Sequence, residues 1–138
     1  SEENAQLIYD FGLNLGIAFQ LQDDYLDAFG DPKTFGKQVG GDIIENKKTY
    51  LYLKAIEFSK AEEKQQLLHL FSIQPSENTD KIESVKAIFN ASGASEATKK
   101  AIQDYTFKAF ETLEKMDIEA EKKAILKAFG ENLMGRNV

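Results

Sequence analysis

Apolar positions recur at helical spacing along nearly the whole chain, and no alternating run of β-branched residues is long enough for a strand. Two prolines, Pro32 and Pro75, each sit in a turn-like cluster, so the remainder is free to be helical. The pattern predicts an all-α chain. A first helix is expected from about Glu3 to Phe29, ending at Gly30-Asp31-Pro32, with a glycine-rich loop running on to Gly41. A second helix is expected to open near Asp42 or Asn46 and to continue through Tyr50, Leu51, Leu53 and Ile56 to Phe58.

Ser59-Lys60-Ala61-Glu62 reads as a capping box for a short helix carrying Leu67, Leu68 and Phe71. Asp80-Lys81-Ile82-Glu83 is expected to cap a helix with Ile82, Val85 and Phe89 on one face, stopped by Ser92-Gly93. Ser95 is the expected cap of the next, with Ile102, Tyr105, Ala109, Leu113 and Met116 as apolar positions. The last helix should begin around Asp117 and bury Ile118, Ile125, Phe129 and Leu133. Short loops between these elements favour antiparallel neighbours, hence a helical bundle.

Composition narrows the function. The 138 residues suit one domain or part of a larger one, and 42% hydrophobic with 29% charged residues is a globular balance. A net charge of −6 with no basic stripe argues against nucleic acid as a partner. An anionic ligand would have to be held locally. Cysteine is absent, which removes disulfides, zinc–thiolate sites and thiol nucleophiles and suits a cytoplasmic location. No apolar run reaches transmembrane length. The chain starts on a helical pattern without an initiating methionine and reads as a piece of a longer one.

The candidate chemistry is concentrated between Phe19 and Thr49. At about 3.6 residues per turn, Gly12, Gly16, Gln20, Asp23 and Asp27 share one stripe of the first helix, flanked by Asp24. Like charges at this spacing cost about 0.2–0.5 kcal/mol per pair, and each helical glycine about 0.8–1 kcal/mol against alanine. Such local costs read either as a ligand site or as a solvated acidic helix end with glycines making room for a neighbour. Downstream lie Gly36-Lys37, Gly40-Gly41-Asp42 and Asn46-Lys47-Lys48-Thr49. Carboxylates that hold divalent metal, with lysines that neutralise phosphate oxygens, are what a diphosphate needs. Lys48 reads as surface charge, and Asp42 either caps the second helix or joins the metal site through water. His69, the only histidine, reads as a surface or packing residue, and Arg136 as surface charge.

Taken together, Phe-Gln-x-x-Asp-Asp-x-x-Asp, Gly-Lys, Gly-x-Asp and Asn-Lys-x-Thr resemble the second aspartate-rich region of the trans-isoprenyl diphosphate synthases, or polyprenyl synthetases. The specific motifs span Leu7 to Tyr50. The resemblance implies the all-helical isoprenoid synthase fold, a homodimer, and head-to-tail condensation of isopentenyl diphosphate with an allylic diphosphate. It implies that Asp23, Asp24 and Asp27 bind Mg²⁺ bridging the allylic diphosphate, which Lys37 and Lys47 contact directly. Gln20 would help stabilise the allylic cation, and Phe19 would pack on the isopentenyl group.

The chain departs from the family pattern in one respect. A first aspartate-rich motif and its arginines are absent, as is the Lys-Thr or Lys-Ala step that normally precedes this region. Residues 1–138 therefore read as the C-terminal part of a polyprenyl synthetase domain, inactive on its own. Such a piece is expected to expose apolar faces at Leu15, Ile17 and Phe19. The alternative is a non-catalytic helical subunit or scaffold. A terpene cyclase ranks lower, because its second metal motif mixes Asn, Ser or Thr with Glu and lacks the lysine spacing seen here.

Overall fold

The computed structural model describes residues 1–31 and 39–135. Among them are seven helices and no strand: α1 (Glu2–Phe29), α2 (Gly41–Ile44), α3 (Tyr50–Phe58), α4 (Ala61–Leu70), α5 (Thr79–Ser92), α6 (Ala94–Glu114) and α7 (Ala120–Met134). The all-α expectation holds. None of the described helices is long and apolar enough to cross a membrane. The chain divides into two compact units, residues 1–22 with 100–135, and Asp23–Lys99.

In the first unit the core is Phe11, Leu15, Ala109, Leu113 and Met116, with Leu7, Phe110, Ile118, Leu126, Leu133 and Met134 packed against it. Asn4 and Asp117 tie α1 to the turn after α6: the Asn4 amide donates to the Asp117 carbonyl at 2.8 Å, and the Asp117 N–H donates back to Asn4 Oδ1 at 3.1 Å. Gly130 lets α7 approach closely, since a Cβ there would lie 2.8 Å from Phe110 Cζ. Two expectations for α7 need correcting. Ile125 and Phe129 are exposed, not buried. The inward face instead follows Leu126, Gly130, Leu133 and Met134 at helical spacing, about 100° round the helix from the Ile125–Phe129 stripe. Leu15 is buried and Ile17 and Phe19 are half-buried; the large exposed apolar side chains of α1 are Ile8, Tyr9 and Leu13.

The second unit is built on Ala28, Ile43, Leu51, Tyr52, Ala55, Leu67, Phe71, Val85, Ile88, Phe89 and Ala94. The rings of Tyr52 and Phe71 meet at a tilt of 52° with centroids 4.5 Å apart, and Phe29 meets Phe89 at 6.5 Å. Leu67 and Val85 are fully buried, each stabilising the fold by about 1.5–3 kcal/mol relative to exposure.

Several helix boundaries differ from the sequence expectation. Ser59 ends α3, its N–H on the Ala55 carbonyl, while Lys60 is the N-cap of α4; the capping box does not form. The N-cap of α5 is Asn78, two residues before Asp80. Gly93, at φ 91°, ends α5 and lets α6 begin at once at Ala94, so Ser95 lies inside α6 and its hydroxyl bonds Asn90 Oδ1 at 2.8 Å. The expected continuous second helix is divided into α2 and α3 by Asn46, whose φ of 58° breaks the helical path.

Candidate functional site

The C-terminal turns of α1 carry the three acids into the second unit. Asp24 and Asp27 are 8% and 4% exposed, and buried carboxylates require partners. Asp27 Oδ1 accepts the Asp42 N–H at 2.8 Å, and the Asp27 carbonyl accepts the Gly40 N–H. The first N–H groups of a helix lack intrahelical acceptors. Here Asp27, from another helix, satisfies one that α2 cannot.

This geometry explains the glycines. Gly40 sits at φ 92°, and a Cβ on it would lie 2.8 Å from Ile82 Cδ1. At Gly41 a Cβ would stand 3.3 Å from Asp27 Oδ2, so close backbone approach is a real constraint there. Gly12 and Gly16 differ: beyond the adjacent backbone of α1, no described atom lies within 4 Å of a Cβ at either position, so crowding among the described residues does not explain them.

Asp42 is neither the N-cap, which is Gly40, nor remote from the acids. Lys47 Nζ lies 3.9 Å from Asp24 Oδ1 and 3.9 Å from Asp42 Oδ1. The lysine side chain is 53% exposed, so these long contacts are worth about 0–1 kcal/mol. Lys47 can therefore exchange a carboxylate for a phosphate oxygen at little cost.

A Schellman ending of α2 delivers Lys47 to this place. The Lys47 N–H bonds the Asp42 carbonyl at 2.8 Å and the Asn46 N–H bonds the Ile43 carbonyl at 3.1 Å, with Asn46 in the left-handed conformation. The Asn46 side chain is itself held: its Nδ2 donates to the Ile73 carbonyl at 3.2 Å, and Lys81 Nζ donates to its Oδ1. Lys81 is only 3% exposed, and burial pushes its ammonium below the ordinary lysine pKa.

The other expected site residues fall as follows. Asp23 is half-buried beside Asp24 on α1. Gln20 is exposed and Phe19 half-buried, both on the part of α1 that belongs to the first unit. Gly36, Lys37 and Arg136 lie outside the described residues. Lys48 is exposed, its ammonium 5.8 Å from the Tyr52 ring centroid, and His69 is exposed in the last turn of α4. Among the described residues no trio of acidic or histidine side chains is drawn together closely enough to hold a metal. The donors that α1 presents are nonetheless all carboxylate oxygens, a set suited to a hard divalent ion.

Sequence reasoning missed Lys81. Its signal was its place four residues before Val85, on the stripe that α5 buries.

Residues 1–91 match the polyprenyl synthetase family. The chain belongs to that family. It is 32% identical over 125 residues to a short chain isoprenyl diphosphate synthase of Methanothermobacter thermautotrophicus, covering 91% of this chain and 38% of the relative. A crystal structure of geranylgeranyl pyrophosphate synthase superposes on all of this chain and 43% of its own, with a TM-score of 0.87 and 50% identity. A second such synthase, from Corynebacterium glutamicum and complexed with isoprenyl diphosphate and magnesium, matches with a TM-score of 0.85 and 30% identity over 99% of this chain and 39% of that one. The chain thus spans less than half the length of these family members.

Proposed function

We propose that this chain carries the second aspartate-rich site of an isoprenyl diphosphate synthase, a transferase of isoprenoid biosynthesis that condenses isopentenyl diphosphate head-to-tail with an allylic diphosphate. The observation that carries the reading is the placement of Lys47 Nζ 3.9 Å from both Asp24 and Asp42. Family membership supplies the reaction class.

Asp23, Asp24 and Asp27 are the residues that would hold magnesium; their all-oxygen chemistry fits, and magnesium accompanies isoprenyl diphosphate in the Corynebacterium relative. When bound, the metal neutralises charge on the departing diphosphate. Lys47 binds an oxygen of that diphosphate, releasing its weak hold on the carboxylates, and Lys37 binds another. Cations placed where negative charge develops are the largest usual catalytic term. Gln20 helps stabilise the allylic cation, and Phe19 packs on the isopentenyl group. The proton lost after carbon–carbon bond formation goes to the released diphosphate. The active form on this reading is a cytoplasmic homodimer.

The test is an assay of the complete polypeptide that contains this chain, with isopentenyl diphosphate, Mg²⁺ and allylic primers of several lengths, resolving the products. Elongated prenyl diphosphates with at least one primer are expected, while the 138-residue chain alone forms no appreciable product. No elongation with any primer overturns the assignment, and robust product from the short chain overturns its dependence on the remaining sequence.

A further inference from the structure

Lys81 occupies a place that general physics disfavours for a cation. It is the one buried lysine among the described residues. It also lies in the first turn of α5, where the helix dipole repels positive charge. A well-packed apolar residue of similar size would serve the core at least as well. What an apolar residue cannot do is donate to two oxygens at once. Lys81 Nζ bonds Asn46 Oδ1 and the Ile73 carbonyl, the latter at 2.8 Å, and Asn46 Nδ2 bonds that same carbonyl.

The object of this clasp is the only non-glycine residue with positive φ among the described ones. Left-handed backbone is costly for most residues and tolerable for asparagine. At this position it closes the Schellman ending of α2, and the next residue is Lys47.

We propose that Lys81 is a positioning residue: by clasping the Asn46 amide it holds the left-handed turn that sets Lys47 between Asp24 and Asp42. The proposal rests on the reading of Lys47 as a diphosphate ligand. It assigns to Lys81, 34 positions downstream on α5, control over where that ligand stands.

A double-mutant cycle in the complete polypeptide tests it. Lys81→Met keeps the bulk without the donor, and Asn46→Gly makes the left-handed turn available without a clasp. Calorimetric titration with inorganic pyrophosphate and Mg²⁺ is the first readout; the KM values for the two diphosphate substrates are the second. Lys81→Met alone is expected to weaken pyrophosphate binding and raise the allylic KM by about tenfold, the usual scale for residues that orient a ligand from behind. The KM for isopentenyl diphosphate stays in place, a split that general destabilisation does not produce. On the Asn46→Gly background Lys81→Met adds less than about twofold.

Equal losses on both backgrounds, no loss on the native one, or parallel rises in both KM values overturn the proposal. If Lys81→Met does not fold, Asn46→Ala against Asn46→Gly decides: weaker pyrophosphate binding by Ala supports the proposal and equal binding overturns it. If the unaltered polypeptide binds no pyrophosphate, the diphosphate reading itself fails. The clasp is then judged from a crystal structure of Lys81→Met: Asn46 leaving the left-handed region supports it, and an unmoved Asn46 refutes it.

Discussion

Asp27 carries two roles that one pair of substitutions can separate. Its carboxylate caps α2 through the Asp42 N–H at 2.8 Å, and it is proposed to hold metal. Asp27→Ala removes the acceptor and the charge; Asp27→Asn removes the charge and keeps an acceptor oxygen. Both relieve repulsion with Asp23 and Asp24, four and three residues earlier, by about 0.2–0.5 kcal/mol per pair. That relief cancels in the comparison between the two variants. What remains is one neutral hydrogen bond plus the penalty of a partly buried, unsatisfied N–H, together about 1.5 kcal/mol, or about tenfold in a local opening equilibrium. Hydrogen exchange over residues 41–47 of the complete polypeptide, without added metal, should be about tenfold faster in the alanine variant than in the asparagine one. Turnover should fall together in both, by about 10²-fold or more, because neither retains the charge. Equal exchange rates refute the capping argument, and an asparagine variant with native turnover refutes the metal role.

Other consequences are checked more simply. Lys47→Ala should lower kcat/KM for the allylic diphosphate by about 10²-fold while changing the thermal midpoint little, since its contacts in the structure are long and half-exposed. Gly40→Ala should destabilise the second unit by about 1–3 kcal/mol, because a Cβ meets Ile82 on a backbone at φ 92°; a native denaturation midpoint would contradict this. Gly130→Ala should cost about 1–3 kcal/mol through overpacking on Phe110, read from the thermal midpoint. Chelation of divalent metal should abolish turnover, and added Mg²⁺ should restore it.

Much of this protein was legible in its residues. The apolar period of about 3.6 gave α1 within a residue at its start, Val85 and Phe89 as buried positions of α5, and Ala109 and Leu113 as buried positions of α6, because apolar residues at helical spacing share one face. The acid and lysine spacing led to the family for a related reason: residues that bind one ligand from one helix and its following loop are close in sequence. α7 shows where the pattern failed. Its two apolar stripes are nearly equivalent by composition, and Gly130, where Phe110 approaches, determines which one faces inward.

Sequence alone determined helical class and the acidic turn of α1, both consequences of short-range periodicity and chemistry. Tertiary structure decided that Asp27 caps α2 in place of Asp42, that Asn46 interrupts the second helix, and that Lys81 is drawn inward to hold it. Each of these joins groups 15 to 35 residues apart or depends on such a contact. No local pattern encodes them, because a backbone N–H or an amide oxygen acquires its partner only when packing brings another helix against it.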